Sequence, residues 1–173
     1  GLPWVHLGGS PVDYDQAYDR LAESLQRLAG EAQRAGVALY LEYIWNMFLL
    51  SPLEVKGLLD EVGSPWVGML LDVGNVTATG FAEQWIRVLS THIREVHLKD
   101  YRRALGSVEG FVPLLSGDVN WPAVMEALRS NNFDGYLIPE VFPYPTVPSA
   151  SLVHTVASLE ILMNLVNSSG DQE

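Results

Sequence analysis

The 173 residues are 48% hydrophobic and 18% charged, which suits one globular domain with a core of its own. Cysteine is absent, which excludes disulfides and thiolate metal sites. A net charge of −11 with only ten Lys plus Arg speaks against a nucleic-acid partner, whose phosphates demand clustered cations. No apolar run approaches the ~18 residues needed to span a bilayer, so no membrane partner is expected. Gly1-Leu2-Pro3-Trp4 lacks a basic, signal-like start, so a cytoplasmic protein is expected. The first residue is not Met, which leaves processing, a tag scar or a longer parent chain open.

Taken in chain order, strand-like and helix-like segments alternate. Pro3–Leu7 is a strand candidate, closed by Gly8-Gly9-Ser10. From Asp13 to Ala35, apolar residues at Tyr14, Ala17, Leu21, Leu25, Leu28 and Ala32 recur every three or four positions, which predicts a helix. Gly36 stands where such a helix ends. Val37–Tyr43 is the next strand. Ser51-Pro52 with Glu54 opens a second helix, serine as cap and proline in the first turn, running to Val62 before Gly63. Trp66–Leu71 reads as a strand, Phe81–Thr91 as a helix and Ile93–Leu98 as a strand, followed by a loop of roughly twenty residues. Trp121-Pro122 opens a helix to Asn131, Tyr136–Val141 is a strand, and Ser151–Val166 closes the chain as an amphipathic helix. These make about five βα units, without repeat or linker, read as a single domain over residues 1–173.

Strands separated by helices imply a parallel sheet with right-handed crossovers, and such sheets bind ligands at the carboxyl ends of their strands. Four residues stand there: Glu42 after ALYL, Asp72 after MLL, His97 after REV and Glu140 after YLIP. Three carboxylates and an imidazole suit Mn²⁺, Mg²⁺, Co²⁺ or Zn²⁺. Each also has a plainer reading. Glu42 and Glu140 could be solvated loop carboxylates, and Asp72 before Val-Gly-Asn a turn residue. His97, alternating with Val96 and Leu98, could sit on the opposite strand face. A doubly wound sheet stays open, although no GxGxxG or phosphate loop supports it. A barrel better suits side chains from four successive strands meeting at one point. A closed barrel needs eight strands, however, and about five are counted here.

The segment EVHLKDY (Glu95–Tyr101) resembles the xylose isomerase-like (β/α)8 TIM barrels, and among them the sugar and sugar-phosphate isomerase/epimerase group. The matching pieces come in family order: LYLEYIWN (Leu39–Asn46), LLDVGNV (Leu70–Val76), EVHLKDYRR (Glu95–Arg103), GDVNWPAVMEAL (Gly117–Leu128) and GYLIPEVFP (Gly135–Pro143). The resemblance implies metal ligands after the fifth to eighth strands, which fall on Glu42, Asp72, His97 and Glu140. The two glutamates would double as the acid/base pair. It implies a basic substrate contact six residues past the histidine, at Arg103. Where the family often has a histidine three residues past the aspartate, this chain has Asn75. Several sugar-phosphate epimerases resemble it in that, so the departure bears on the substrate rather than on the activity. Pro3–Leu7 would be the fourth strand. The chain would then be the C-terminal part of a TIM barrel, about five βα units of it, with a homo-oligomer or a missing N-terminal half-barrel covering its edges.

The function so implied is a metal-dependent isomerase or epimerase that uses one divalent ion, manganese among the options, on a small sugar or sugar phosphate. A cation on the substrate oxygens stabilises an enediolate, while Glu42 and Glu140 move the proton as base and acid. His97 would ligate as neutral imidazole, its second nitrogen needing an acceptor that the sequence does not identify. Asn75, Arg103, Lys99 and His6 are candidate substrate contacts, Lys99 being read first as cover for the barrel rim. Trp45, Phe48 and Phe142 follow strand ends, to stack on a sugar or lie buried under loops. His92 and His154 are read as structural, and Glu109 and Asp118 flank GFVPLL, a candidate lid. Two rivals stay open: an inosose-type dehydratase on the same scaffold, and a truncated metal-binding fragment without turnover. An apurinic-site endonuclease with trinuclear zinc would need more than the four histidines present.

Overall fold

The computed structural model describes residues 12–167. The strand expected at Pro3–Leu7, and His6 within it, lie outside the described residues. Helix α1 spans Tyr14–Ala35, strand β1 Leu39–Glu42, α2 Pro52–Val62, β2 Val67–Asp72, α3 Val73–Thr77, α4 Ala82–Leu89 and β3 Ile93–Leu98. A short hairpin follows, β4 at Asp100–Tyr101 and β5 at Phe111–Val112, then α5 Trp121–Ser130, β6 Tyr136–Pro139 and α6 Pro148–Asn167.

Local rules account for most boundaries. Gly36 takes φ 67, and the Val37 N–H donates back to the Ala32 carbonyl at 3.0 Å. The chain is still closing α1 at Val37, so β1 begins at Leu39 rather than Val37. At α2 the Ser51 side chain accepts from the Glu54 N–H while the Glu54 carboxylate accepts from the Ser51 N–H, a reciprocal cap with Pro52 in the first turn. The helix expected at Phe81–Thr91 is shorter, because Phe81 holds an extended cap position and Ser90 turns to φ 42.

Strands β1, β2, β3 and β6 form one parallel sheet in that order. Chain order is kept across the sheet, as in an arc of a barrel. A doubly wound sheet would instead reverse its strand order at a switch point. The hairpin corrects the expectation of parallel strands throughout, since β4 and β5 pair antiparallel inside the loop after β3.

The two sheet faces differ. Met69, Leu71, Val96 and Leu98 are fully buried and share one apolar cluster with Leu58 of α2, Ile86 of α4 and Val124 of α5. Each such side chain contributes about 1.5–3 kcal/mol when taken out of water. On the other face Tyr40 and Tyr136 remain 42% and 76% exposed. Between β2 and β3 the register slips by one residue: Met69 pairs with Ile93, but Leu70 with Glu95. Arg94 is the extra residue, and beyond it every side chain changes face. The slip sets His97 beside Asp72; without it Val96 would stand there.

Helix α6 was expected to be amphipathic and is not. Leu162 is fully buried, yet Leu152, Val153, Val156, Ile161 and Met163 are exposed. Apolar residues run around the helix, so no single stripe separates core from solvent. Among the described residues no helix is long and apolar enough to cross a membrane.

Candidate metal centre

Glu42, Asp72, His97 and Glu140 converge. Each offers one ligand atom, and these atoms lie within 4.8 Å of one another. Atoms that share one ion at ~2.0–2.4 Å cannot be more than about 4.8 Å apart, so the donors are close enough to share a single divalent cation. Register brings them together: Glu42 pairs with Leu70 and Asp72 with His97. Just past β6, the Glu140 N–H donates to the Leu98 carbonyl at 3.1 Å.

Asp72 is a turn residue as well as a member of the cluster. Its Oδ1 accepts the Asn75 N–H at 2.8 Å and caps α3, an element where the sequence reading expected only loop. Oδ2 is buried and has no hydrogen bond; its one ion-pair contact is Lys99 Nζ at 3.0 Å. Lys99 does not cover the rim. Its side chain is buried, with Nζ also 2.8 Å from Glu140 Oε2 and 4.7 Å from the Phe111 ring centroid. The lysine stem crosses Gly74, where a Cβ would come within 2.8 Å of Lys99 Cγ, so only glycine leaves it room.

The imidazole of His97 lies between two carboxylates. Nδ1 is 3.1 Å from Glu140 Oε2 and Nε2 is 3.4 Å from Glu95 Oε1. Glu95 is therefore the acid beside the second ring nitrogen. Spacing of two along one strand places it on the His97 face, a signal present in REVH that the sequence reading passed over. The Asn75 amide donates to the Tyr43 carbonyl at 3.2 Å and to Glu42 Oε1 at 3.4 Å.

Burial raises the Glu42 pKa above its ordinary value, helped by the charge on Asp72 and opposed by His97 and Lys99. Burial likewise raises Asp72, against Lys99 and the Asn75 N–H. For Lys99 burial pulls downward, but Asp72 and Glu140 outweigh it and hold the ammonium above its usual range. For Glu140 burial pulls upward, and the hydrogen bond and charge of Lys99 outweigh it, so that its pKa is lowered. Three carboxylates with one ammonium remain short of positive charge, which is the demand a divalent ion meets.

The remaining candidates lie around this cluster. Arg103 donates from Nε to the Thr77 carbonyl at 2.8 Å and from a terminal nitrogen to the Gly80 carbonyl at 2.6 Å, so its guanidinium holds the turn after α3. Trp45 is buried, its indole N–H donating to the Asn75 carbonyl at 2.8 Å, and its ring stacks on Phe111 with centroids 5.0 Å apart. Phe48 packs on Tyr14, and Phe142 is exposed. Asp118 accepts from the Arg103 N–H and Glu109 bonds Ser107, both away from the cluster. His92 meets Asp60, and His154 meets Tyr144. Asp100, unremarked in the sequence, is fully buried. It accepts from the N–H groups of Tyr101, Gly117 and Val119 and from the Trp121 indole, tying the far end of the long loop to β4. A cavity of about 300 Å³ opens beside β1, lined by Leu21, Leu41 and Val55, and shares only Glu42 with the cluster.

The sequence matches the profile of the xylose isomerase-like TIM barrels over residues 1–161. The chain belongs to that family. Relatives within it are enzymes. Inosose dehydratase of Clostridium perfringens is 26% identical over 156 residues, covering 80% of this chain and 52% of that protein. L-ribulose-5-phosphate 3-epimerase of Salmonella paratyphi A is 29% identical over 144 residues, covering 80% and 50%. The chain thus spans about half the length of the curated relatives it matches. Among solved structures, D-psicose 3-epimerase of Clostridium cellulolyticum H10 superposes with a TM-score of 0.74 at 18% identity, covering 95% of this chain and 61% of that one. The 3-keto-D-glucoside 4-epimerase of E. coli gives 0.71 at 20%, covering 95% and 60%. The described strands are an arc of the family's barrel.

Proposed function

We propose that the protein is a metal-dependent sugar or sugar-phosphate isomerase or epimerase that removes a proton from carbon beside a carbonyl, with residues 1–173 forming one domain at the C-terminal side of the barrel. The observation that carries this is the convergence of three carboxylates and one imidazole within 4.8 Å at the carboxyl ends of successive parallel strands. Glu42, Asp72, His97 and Glu140 would hold a divalent ion, which would supply Lewis-acid stabilisation for the substrate oxygens. Glu42 and Glu140 come from the two outermost strands of the arc and reach a bound sugar from two sides, one taking the proton and the other returning it. Asp72 and His97, from the two central strands, hold position. Lys99 offsets one negative charge and holds the Glu140 carboxyl below its ordinary pKa. Asn75 orients Glu42 and offers its amide to a sugar oxygen. Arg103 reaches a substrate oxygen or phosphate only by giving up the Thr77 and Gly80 carbonyls.

Turnover in D₂O tests this reading: the recovered sugar should carry deuterium at the reacting carbon. Glu→Gln at one glutamate should remove exchange for one epimer more than for the other. Turnover without uptake would point to hydride transfer between carbons and overturn the scheme. The dehydratase relatives support a second reading that shares the first step. There the enediolate expels the hydroxyl of the adjoining carbon instead of taking back a proton. A dehydrated product in place of a deuterated sugar would select it.

A further inference from the structure

We propose that Glu95 is a positioning residue for His97, holding the imidazole as the Nε2–H tautomer with Nδ1 turned to the metal cluster. The inference rests on the metal-site reading above. The two ring nitrogens face different carboxylates: Nδ1 is 3.1 Å from Glu140, a member of the four-residue cluster, and Nε2 is 3.4 Å from Glu95, which lies outside it. A neutral imidazole has one N–H and one lone pair. A carboxylate at Nε2 stabilises the tautomer with its proton there, leaves the Nδ1 lone pair for a cation, and makes that nitrogen the stronger donor.

The backbone fixes this pairing. Glu95 sits in a central strand, paired to Leu70 on one side and Tyr136 on the other. Spacing of two puts Glu95 and His97 on one face, and the slip at Arg94 makes it the inner face, so the acid stands one step below the ring along the strand. Both side chains are largely shielded, at 18% and 20% exposure, where solvent competes weakly for the ring proton. At 3.4 Å the Glu95 carboxylate is an ion-pair neighbour of Nε2. The hydrogen bond that the ring makes in the metal-free chain is the one from Nδ1 to Glu140, which a cation on Nδ1 would replace.

Nitrogen-15 NMR of the zinc-loaded chain, labelled at histidine and assigned with a His97→Asn variant, tests the proposal. The expected result is zinc on Nδ1 and a slowly exchanging proton on Nε2. Glu95→Gln keeps an acceptor oxygen and should stay close to the parent in both zinc affinity and proton exchange. Glu95→Leu should lose affinity by about 10–100-fold and exchange the Nε2 proton faster, with its circular dichroism unchanged. Zinc on Nε2 in the parent would overturn the proposal without any variant being needed. So would a folded Glu95→Leu chain with parental affinity and exchange, and in both cases the metal site would stand. A parent chain in which zinc moves no His97 signal would overturn the metal site and this inference together.

Discussion

The two faces of the parallel sheet follow different rules. On the helix-packed face Met69, Leu71, Val96 and Leu98 expose nothing and contribute stability through apolar burial. On the inner face the strand ends gather three carboxylates, an imidazole and a lysine, while Tyr40 and Tyr136 stay open. Leu71 and Asp72, or Val96 and His97, are adjacent in sequence yet have opposite tasks, because side chains alternate along a strand. One face holds the fold together. The other concentrates like charge that only a cation offsets.

The largest expected effect separates the faces outright. Asp72→Ala and His97→Ala should each abolish high-affinity Mn²⁺ or Co²⁺ binding by calorimetry. Loss of the Asp72 cap on α3 should cost about 1 kcal/mol of stability. Retained affinity in both variants would end the metal assignment. Next, Leu71→Ala should cost ~2–5 kcal/mol in denaturant unfolding through the cavity it leaves, with affinity per folded molecule unchanged. An affinity loss without a stability loss would break the division of labour.

The smallest effect is one of sign. Burial raises the Glu42 pKa above its unfolded value. The contribution of this group to stability is therefore full below the ordinary glutamate pKa and is lost as pH rises through the raised one. In the metal-free chain Glu42→Gln should melt higher than the parent at neutral pH, and the gap should close in acid. A gap that persists or grows in acid would assign Glu42 the wrong environment.

What could be read in advance was what short-range rules govern. The Ser51–Glu54 cap, the stop at Gly36 and the strand Ile93–Leu98 appear as expected because each depends on neighbours in the chain. That four strand-end residues would converge was legible through their repeated placement and the family resemblance. The rest depends on contacts between distant segments. The Arg94 slip decides which face His97 takes, and nothing in REVHL announces it. Lys99 turns inward because Gly74, on another element, leaves a groove for its stem. Asp100 is buried because the loop around Gly117 folds back on it, where a Cβ would come within 2.1 Å of Asp100 Oδ1. The apolar residues spread around α6 suggested a stripe that the helix does not have.

The central claim is that the inner-face strand ends form one metal site. Anomalous scattering from a crystal of the chain grown with Mn²⁺ tests it most directly. The account predicts one strong peak at ~2.0–2.4 Å from oxygens of Glu42, Asp72 and Glu140 and from a ring nitrogen of His97. A peak elsewhere, or none among these four residues at saturating Mn²⁺, would contradict it.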